Sequence, residues 1–251
     1  MSFCNPFFFF DSTHEPPPLR HLSQKDNFKS RPTELTYLLL LLTKKKSVVV
    51  AQPSLKIMNR WFPLESNPEV INKYLGKIGL KSNVVCTDIY STEEWAIDML
   101  PALPEAILFL FPMTENQESH RKEQGESLKL TDNVNNVKFF VEQRIGNACG
   151  TIGLLHALGN LPGDNFIEGG WLSKYFKGEE SVAGKSNAER LESDPDIQNV
   201  HTEACEDESN ANARGDLDQV VNNHFIAFAK GVDNFVYEFD GRKAGPGECE
   251  T

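Results

Sequence analysis

Residues 141–163 read VEQRIGNACGTIGLLHALGNLPG, and the fold turns on how this stretch is read. Ile152, Leu154, Leu155, Leu158 and Leu161 form an apolar set too wide for a half-exposed helix. That width predicts a helix buried in the middle of the body, and Pro162 and Gly163 stop it. Cys149 stands where the helix begins, and the positive end of the helix dipole and its free N–H groups favour a thiolate there. The small residues Gly146, Asn147, Ala148 and Gly150 around it would let an extended substrate backbone approach closely. A lone cysteine ahead of an apolar helix is equally well explained as core filling, so the choice rests on its partners.

Two partners are found in the stretch NHFIAFAKGVDNFVYEFDGRK, residues 223–243. Two β-rich runs flank GVDN, a hairpin signal. His224 stands at the edge of the first strand and Asp240 closes the second, so the turn brings both to one end, where a carboxylate can orient an imidazole. Taken singly, His224 also fits a satisfied structural histidine and Asp240 a turn aspartate. Gln143, six positions before Cys149, is close enough in sequence to aim its amide at an oxyanion forming beside the sulfur; an ordinary surface glutamine is the plainer account.

Working outward, RWFPLESNPEVINKYLGKIGL, residues 60–80, predicts a helix capped by Ser66 or Asn67, with Pro68 in its first turn, Glu69 complementing its dipole and Gly79 ending it. NVVCTDIY reads as a strand, STEEWAIDML as a capped helix, EAILFLF as a buried strand, TENQESHRKEQGESLKLTD as an exposed helix or loop and NVKFFVEQ as a strand or extended entry. Residues 178–218 are mostly polar, and TEACEDESNANARGDLDQ has the low hydrophobicity of a mobile loop. The order of elements predicts an α+β domain with a central, mostly antiparallel sheet flanked by helices.

Net charge is −11 over 251 residues. Residues 1–57 carry 8 Lys or Arg against 4 Asp or Glu, and residues 58–251 carry 17 against 32. This division separates a basic, poorly structured extension from an acidic body. An acidic body argues against nucleic-acid binding and favours a basic partner. The five cysteines show no C-x-x-C and no metal-like spacing, so no metal is expected, and the thiols suit a reducing cytoplasmic or nuclear setting. Tyr37–Leu42 is far shorter than the roughly 20 residues that span a bilayer, and Lys44–Lys46 follow it, so no stable membrane insertion is expected.

Taken together, the 141–163 stretch, the 223–243 hairpin and RWFPLESNPEVINKYLGKIGL resemble the ubiquitin carboxyl-terminal hydrolases, specifically the short isozymes, from about Asn59 to Lys243. The resemblance implies a papain-like cysteine protease fold with a knotted backbone. It implies Cys149 as nucleophile, His224 as general base and acid, Asp240 as its orienting carboxylate and Gln143 as oxyanion donor, with no cofactor. It also implies that Glu65, Glu69 and Asp88 contact the Arg-containing tail of ubiquitin; helix-start capping explains Glu65 and Glu69 as well. The stretch from Glu203 to Gln219 corresponds to an active-site crossover loop that limits leaving groups to small adducts and short peptides. The expected partners are ubiquitin, its C-terminal adducts and the related modifier NEDD8, for a monomeric enzyme.

Against that pattern, residues 1–57 have no counterpart, the hairpin is one residue longer, and the chain runs AGPGECET after DGRK, where a further helix and a last strand of the sheet are expected. The alternative reading is therefore an inactive or weakly active form that binds ubiquitin. A papain-like protease of unrelated substrate is a third reading, disfavoured by LESNPE and the crossover-like stretch.

Overall fold

The computed structural model describes residues 7–11, 60–100, 102–128, 133–177, 186–207, 217 and 222–249. Residues 12–59, most of the segment read as an extension, lie outside that set. The body is α+β: a six-stranded sheet in the order β2-β1-β3-β4-β5-β6, antiparallel throughout, and a set of helices led by α4 (Cys149–Asn160).

Two strands come from stretches where none was expected. β1 (Phe7–Asp11), inside the segment read as extension, pairs with β2 (Val85–Ile89) on one side and β3 (Ala106–Pro112) on the other. A run of four phenylalanines is strongly strand-forming; its placement between β2 and β3 depends on edges far away in sequence. β6 (Gly247–Glu248) lies beside β5 (Val236–Phe239) in the final residues, and Cys249 N–H donates to Val236 O at 2.9 Å.

α4 behaves as its composition predicts, with eleven of its twelve residues buried. Glycine lets it lie close to the sheet. A Cβ at Gly150 would stand 3.0 Å from Leu64 Cβ and 3.4 Å from the Phe225 ring, and one at Gly153 would stand 3.2 Å from Leu108. Gly150 therefore serves helix–sheet packing. Gly146, whose Cβ would fall 2.7 Å from Arg60 Cγ, is likewise covered by Arg60, and Ala148 is fully buried. At Gly146 and Gly150 the missing side chain thus admits the protein's own Arg60 and Leu64.

Residues 137–144 form no strand. Over residues 138–141 most of the main-chain bonds go to side chains of α4. Asn160 Oδ1 accepts from Lys138 N–H (2.9 Å) and Phe139 N–H (3.3 Å), its Nδ2 donates to Phe139 O (2.9 Å), and His156 Nε2 meets the Val141 main chain at 2.9 Å. Buried backbone groups need partners but not strand partners, so the β-rich sequence is extended without a ladder.

α1 (Pro68–Lys77) starts on Asn67, whose Oδ1 accepts from Glu69 N–H at 3.0 Å, and Gly79 follows it at φ +98°. α2 spans Glu94–Asp98 and α3 Glu115–Leu128; both follow the sequence reading. Of the polar region between 178 and 218, residues 186–207 and 217 are described, and the first of these stretches is mostly helical. After α5 (Trp171–Lys177), it contains α6 (Asn187–Glu192), begun by a Ser186–Glu189 capping box, and α7 (Pro195–Cys205), capped by Asp194. α7 buries Ile197, His201, Ala204 and Cys205, a single helical face that includes one polar residue.

That residue, His201, joins three elements: Thr151 Oγ1 of α4 lies 2.9 Å from its Nδ1, and Phe62 O, ahead of α1, lies 2.7 Å from its Nε2. Burial holds both His201 and His156 down to about 4. An unfolded chain binds these two protons near pH 6.5, so their contribution to stability is present above that pH and is lost as pH falls from about 6.5 to about 4, by roughly 3 kcal/mol for each histidine. His224, raised in the folded protein, acts in the opposite sense, its contribution being lost as pH rises through its folded value. Thermal unfolding between pH 7 and pH 4 is expected to show a steep fall in Tm that is shallower in His201→Gln. Equal slopes in the two proteins would count against this account.

Candidate active site

Cys149 is the first residue of α4, and no side chain caps the helix; Asn147, two residues earlier, adopts φ +61° to make the turn. The Arg60–Gly146 bridge, with Trp61 N–H donating to Gly146 O at 3.0 Å, fastens this turn to the segment before α1. The sulfur is thus held at the positive end of a buried helix.

His224 lies in β4 (Asn223–Lys230), opposite Phe111 of β3, whose ring meets it edge-on at 6.0 Å. The register that pairs Ala227 with Phe239, continued past β5, sets His224 opposite Arg242. Asp240 is then its diagonal neighbour on the same face of the sheet. The hairpin turns through residues 231–235, where Asn234 adopts φ +70°, and the strands keep register. His224 Nε2–H donates to Asp240 Oδ1 at 2.8 Å, and both side chains are buried. Arg242 N–H donates to the same oxygen at 2.9 Å.

This bond leaves His224 Nδ1 as the nitrogen available to the thiol. Nδ1 makes no conventional hydrogen bond, yet ring and sulfur are near enough to shift each other. Burial alone would raise the Cys149 thiol, but hydrogen bonding and charge from His224, with the Phe225 main chain, outweigh it and hold the thiol below its ordinary value. Burial would likewise lower His224, and Asp240 and Cys149 together raise it. For Asp240 burial acts upward, and His224 brings the net shift down. Each group is displaced toward its charged form, as a thiolate–imidazolium pair backed by a carboxylate requires.

A second cysteine–histidine pair provides an internal contrast. Cys205 Sγ lies 3.4 Å from His201 Nε2, but His201 is held by Thr151 and the Phe62 carbonyl, and among the described residues no carboxylate hydrogen-bonds to it. Burial then dominates, and the Cys205 thiol is pushed up to about 12. Proximity of sulfur to imidazole is therefore not enough to activate a thiol: Cys205 ends α7, beside Glu206, and its imidazole has no carboxylate partner among the described residues, whereas Cys149 begins α4 and faces a histidine held by Asp240.

Gln143 sits against the residue that follows Asp240: its N–H donates to Gly241 O at 2.7 Å. A Cβ at Gly241 would stand 2.6 Å from Ile152 Cγ2 and 3.0 Å from Gln143 Cβ, so glycine is required there. Gln143 Nε2 donates one hydrogen to Ile145 O at 3.1 Å, which leaves its second hydrogen for another acceptor. Of the three acidic residues singled out in the sequence, Glu65 and Asp88 each keep a buried carboxylate oxygen without a partner, and burial raises the Asp88 carboxyl. Glu69 differs, being exposed and paired with Lys73 at 3.0 Å. Most of the crossover-loop stretch lies outside the described residues; within it, Glu203–Cys205 end α7, and the Leu217 carbonyl lies 3.5 Å from Asn147 Nδ2. Among the described residues no cluster of His, Cys, Asp and Glu could hold a metal ion, and no helix is long and apolar enough to cross a membrane.

The model of the family "Ubiquitin carboxyl-terminal hydrolase, family 1" matches residues 61–251. The chain belongs to this family of ubiquitin carboxyl-terminal hydrolases. It is 40% identical to ubiquitin carboxyl-terminal hydrolase 3 of Arabidopsis thaliana over 191 residues, 74% of this chain and 78% of that one. It is 38% identical to the human isozyme L1 over 185 residues, 73% and 80% of the two chains. Among solved structures, the Trichinella spiralis UCH37 catalytic domain bound to ubiquitin vinyl methyl ester aligns with a TM-score of 0.56 at 22% identity, covering 78% of this chain and 82% of that one. The fold is thus the papain-like fold of ubiquitin carboxyl-terminal hydrolases, and the family's members are cysteine hydrolases that act on ubiquitin.

The sequence reading missed Gly241, and also the Arg242 amide and the α3 residues beside it. Only the glycine left a signal, in the DG that closes the hairpin.

Proposed function

We propose that this chain hydrolyses small adducts and short peptides from the C-terminal glycine of ubiquitin through a thioester on Cys149. The observation that carries the reading is the buried Asp240–His224 hydrogen bond beside a thiol held below its ordinary value at the start of α4. The Cys149 thiolate attacks the glycine carbonyl carbon, and the oxyanion receives the Cys149 N–H and the second Nε2 hydrogen of Gln143. As the C–N bond breaks, the His224 imidazolium gives its Nδ1 proton to the leaving amine. Water then attacks the thioester, Nδ1 takes a proton from it, and the thiolate departs, which restores the starting ion pair. Asp240 keeps the ring oriented throughout, with Nε2 as donor.

Glu65 and Asp88 suit the Arg-containing ubiquitin tail, since a guanidinium would supply the donors that their buried oxygens lack. Glu69, already paired with Lys73, contributes at most long-range charge. The same surface would take NEDD8 in so far as that modifier presents a similar tail.

Incubation of the 251-residue chain with ubiquitin bearing a C-terminal electrophile is expected to give one covalent adduct, mapped by mass spectrometry to Cys149. Tight binding without an adduct would instead support an inactive ubiquitin-binding form. An adduct on Cys86, Cys205 or Cys249 would overturn the assignment of the nucleophile.

A further inference from the structure

We propose that Arg121 of α3 is a positioning residue for the catalytic carboxylate, acting through the main chain of residue 242; this rests on the role given above to Asp240. The turn that carries Asp240 has weak steric support on one side. A cavity of about 120 Å³ lies there, lined by Asp240 itself together with Arg121, Gln124 and Lys243. The cavity is partly open to solvent, so on that side hydrogen bonds rather than packing hold the carboxylate.

Those bonds converge on α3. Arg121 Nη1 donates to Arg242 O at 2.8 Å, while Arg242 N–H holds Asp240 Oδ1 at 2.9 Å, so one residue links the helix to the carboxylate. Arg121 is itself fixed in a two-bond fork on Glu118, Nε to Oε2 at 3.0 Å and Nη2 to Oε1 at 2.6 Å. A second tie runs the other way: Lys243 Nζ donates to Gln124 Oε1 at 2.7 Å and also to Glu238. α3 is strongly polar, and five of its residues, Gln117, His120, Arg121, Gln124 and Glu118, contribute to this cavity or fork. Polar tethering gives an otherwise solvated helix a reason to sit here.

The charged and titratable groups around Asp240 are Arg121 and His120 from α3, His156 from α4, His224 from β4, Glu238 from β5 and, from the turn, Lys243 and Arg242, whose charge also acts on Cys149. Loss of the Arg121 cation alone would favour the His224 imidazolium and move the alkaline limb of the pH–rate profile upward. Loss of the tether has the opposite sign, because a carboxylate that drifts from Nε2 no longer raises the ring, and the ring no longer lowers the thiol. The double variant Glu118→Gln/Arg121→Met removes both charges of the fork and isolates the tether.

For hydrolysis of a ubiquitin C-terminal fluorogenic amide, the double variant is expected to lose about 10- to 100-fold in kcat, the scale of a small misplacement in an active site, with KM unchanged. Its pH–rate bell is expected to narrow from both sides. The pH profile of Cys149 alkylation by iodoacetamide, which needs no ubiquitin, is expected to shift upward in parallel. Unchanged alkylation and rate profiles in a variant that keeps the wild-type Tm would overturn the proposal, as would an alkaline limb that moves up. A wild-type chain that shows the shifted alkylation on mutation but never cleaves the amide would sink the reading of function while leaving the tether in place.

Discussion

Alanine in place of Cys149 or of His224 is expected to lower kcat for ubiquitin C-terminal hydrolysis by about 10⁶-fold, and the double replacement to lower it no further, because the two residues act as one unit. Without sulfur there is no acyl acceptor. Without the imidazole, the sulfur keeps its burial and loses what outweighs that burial, hydrogen bonding and charge from His224, so the thiol returns upward and little thiolate remains at neutral pH. The leaving amine also loses its proton donor. Alkylation of Cys149 in His224→Ala is therefore expected to need a more alkaline solution than in the wild type, toward the behaviour of buried Cys205, held near 12. Because His224→Ala leaves Asp240 buried without its ring partner, Tm is measured beside kcat so that loss of fold is not read as loss of chemistry. Additive losses in the double variant, or an unshifted alkylation profile, would contradict the coupling.

The second large effect concerns β1. Deletion of residues 1–15 is expected to abolish cooperative thermal unfolding and to yield aggregate. β1 pairs along Phe7–Asp11 with β2 and along Phe7–Phe9 with β3, so its removal opens two facing rows of main-chain donors and acceptors at once. A finer probe is Phe9→Pro, at a residue paired with both Thr87 and Ile107. Proline deletes one N–H in the interior of a sheet and leaves an acceptor unmatched. At roughly 3 kcal/mol this lowers Tm by about 6–12 °C in a chain of this size. A Tm within about 2 °C of wild type in both variants would show that the sheet does not depend on β1. The active site lies on the far side of β3, with His224 in β4, so partial loss of activity in Phe9→Pro is expected to follow the loss of folded protein.

The elements that the sequence revealed are those whose signals are local. α4 was legible because Ile152, Leu154, Leu155 and Leu158 surround the helix, leaving burial as the only solution. The β4–β5 hairpin was legible from its alternation and turn, and with it the approach of Asp240 to His224. For residues 137–141 the sequence left a strand and an extended entry both open, because a Val- and Phe-rich run shows the same propensity whether its amides face another strand or the side chains of His156 and Asn160; the structure chose the extended entry. α7 was hidden because one of its four buried positions is histidine, a polar residue whose satisfaction depends on Thr151 and Phe62, both remote in sequence.

By itself, then, the sequence determined the helix that carries Cys149, the hairpin that carries His224 and Asp240, and the family to which those motifs point, since periodicity, capping and turn chemistry act over a few residues. Only the tertiary structure decided that residues 7–11 lie between β2 and β3, that Gly146 and Gly150 receive Arg60 and Leu64, and that Arg121 reaches the turn beyond Asp240. These are contacts between segments tens of residues apart. Their energies depend on which surfaces meet, and no local pattern encodes that meeting.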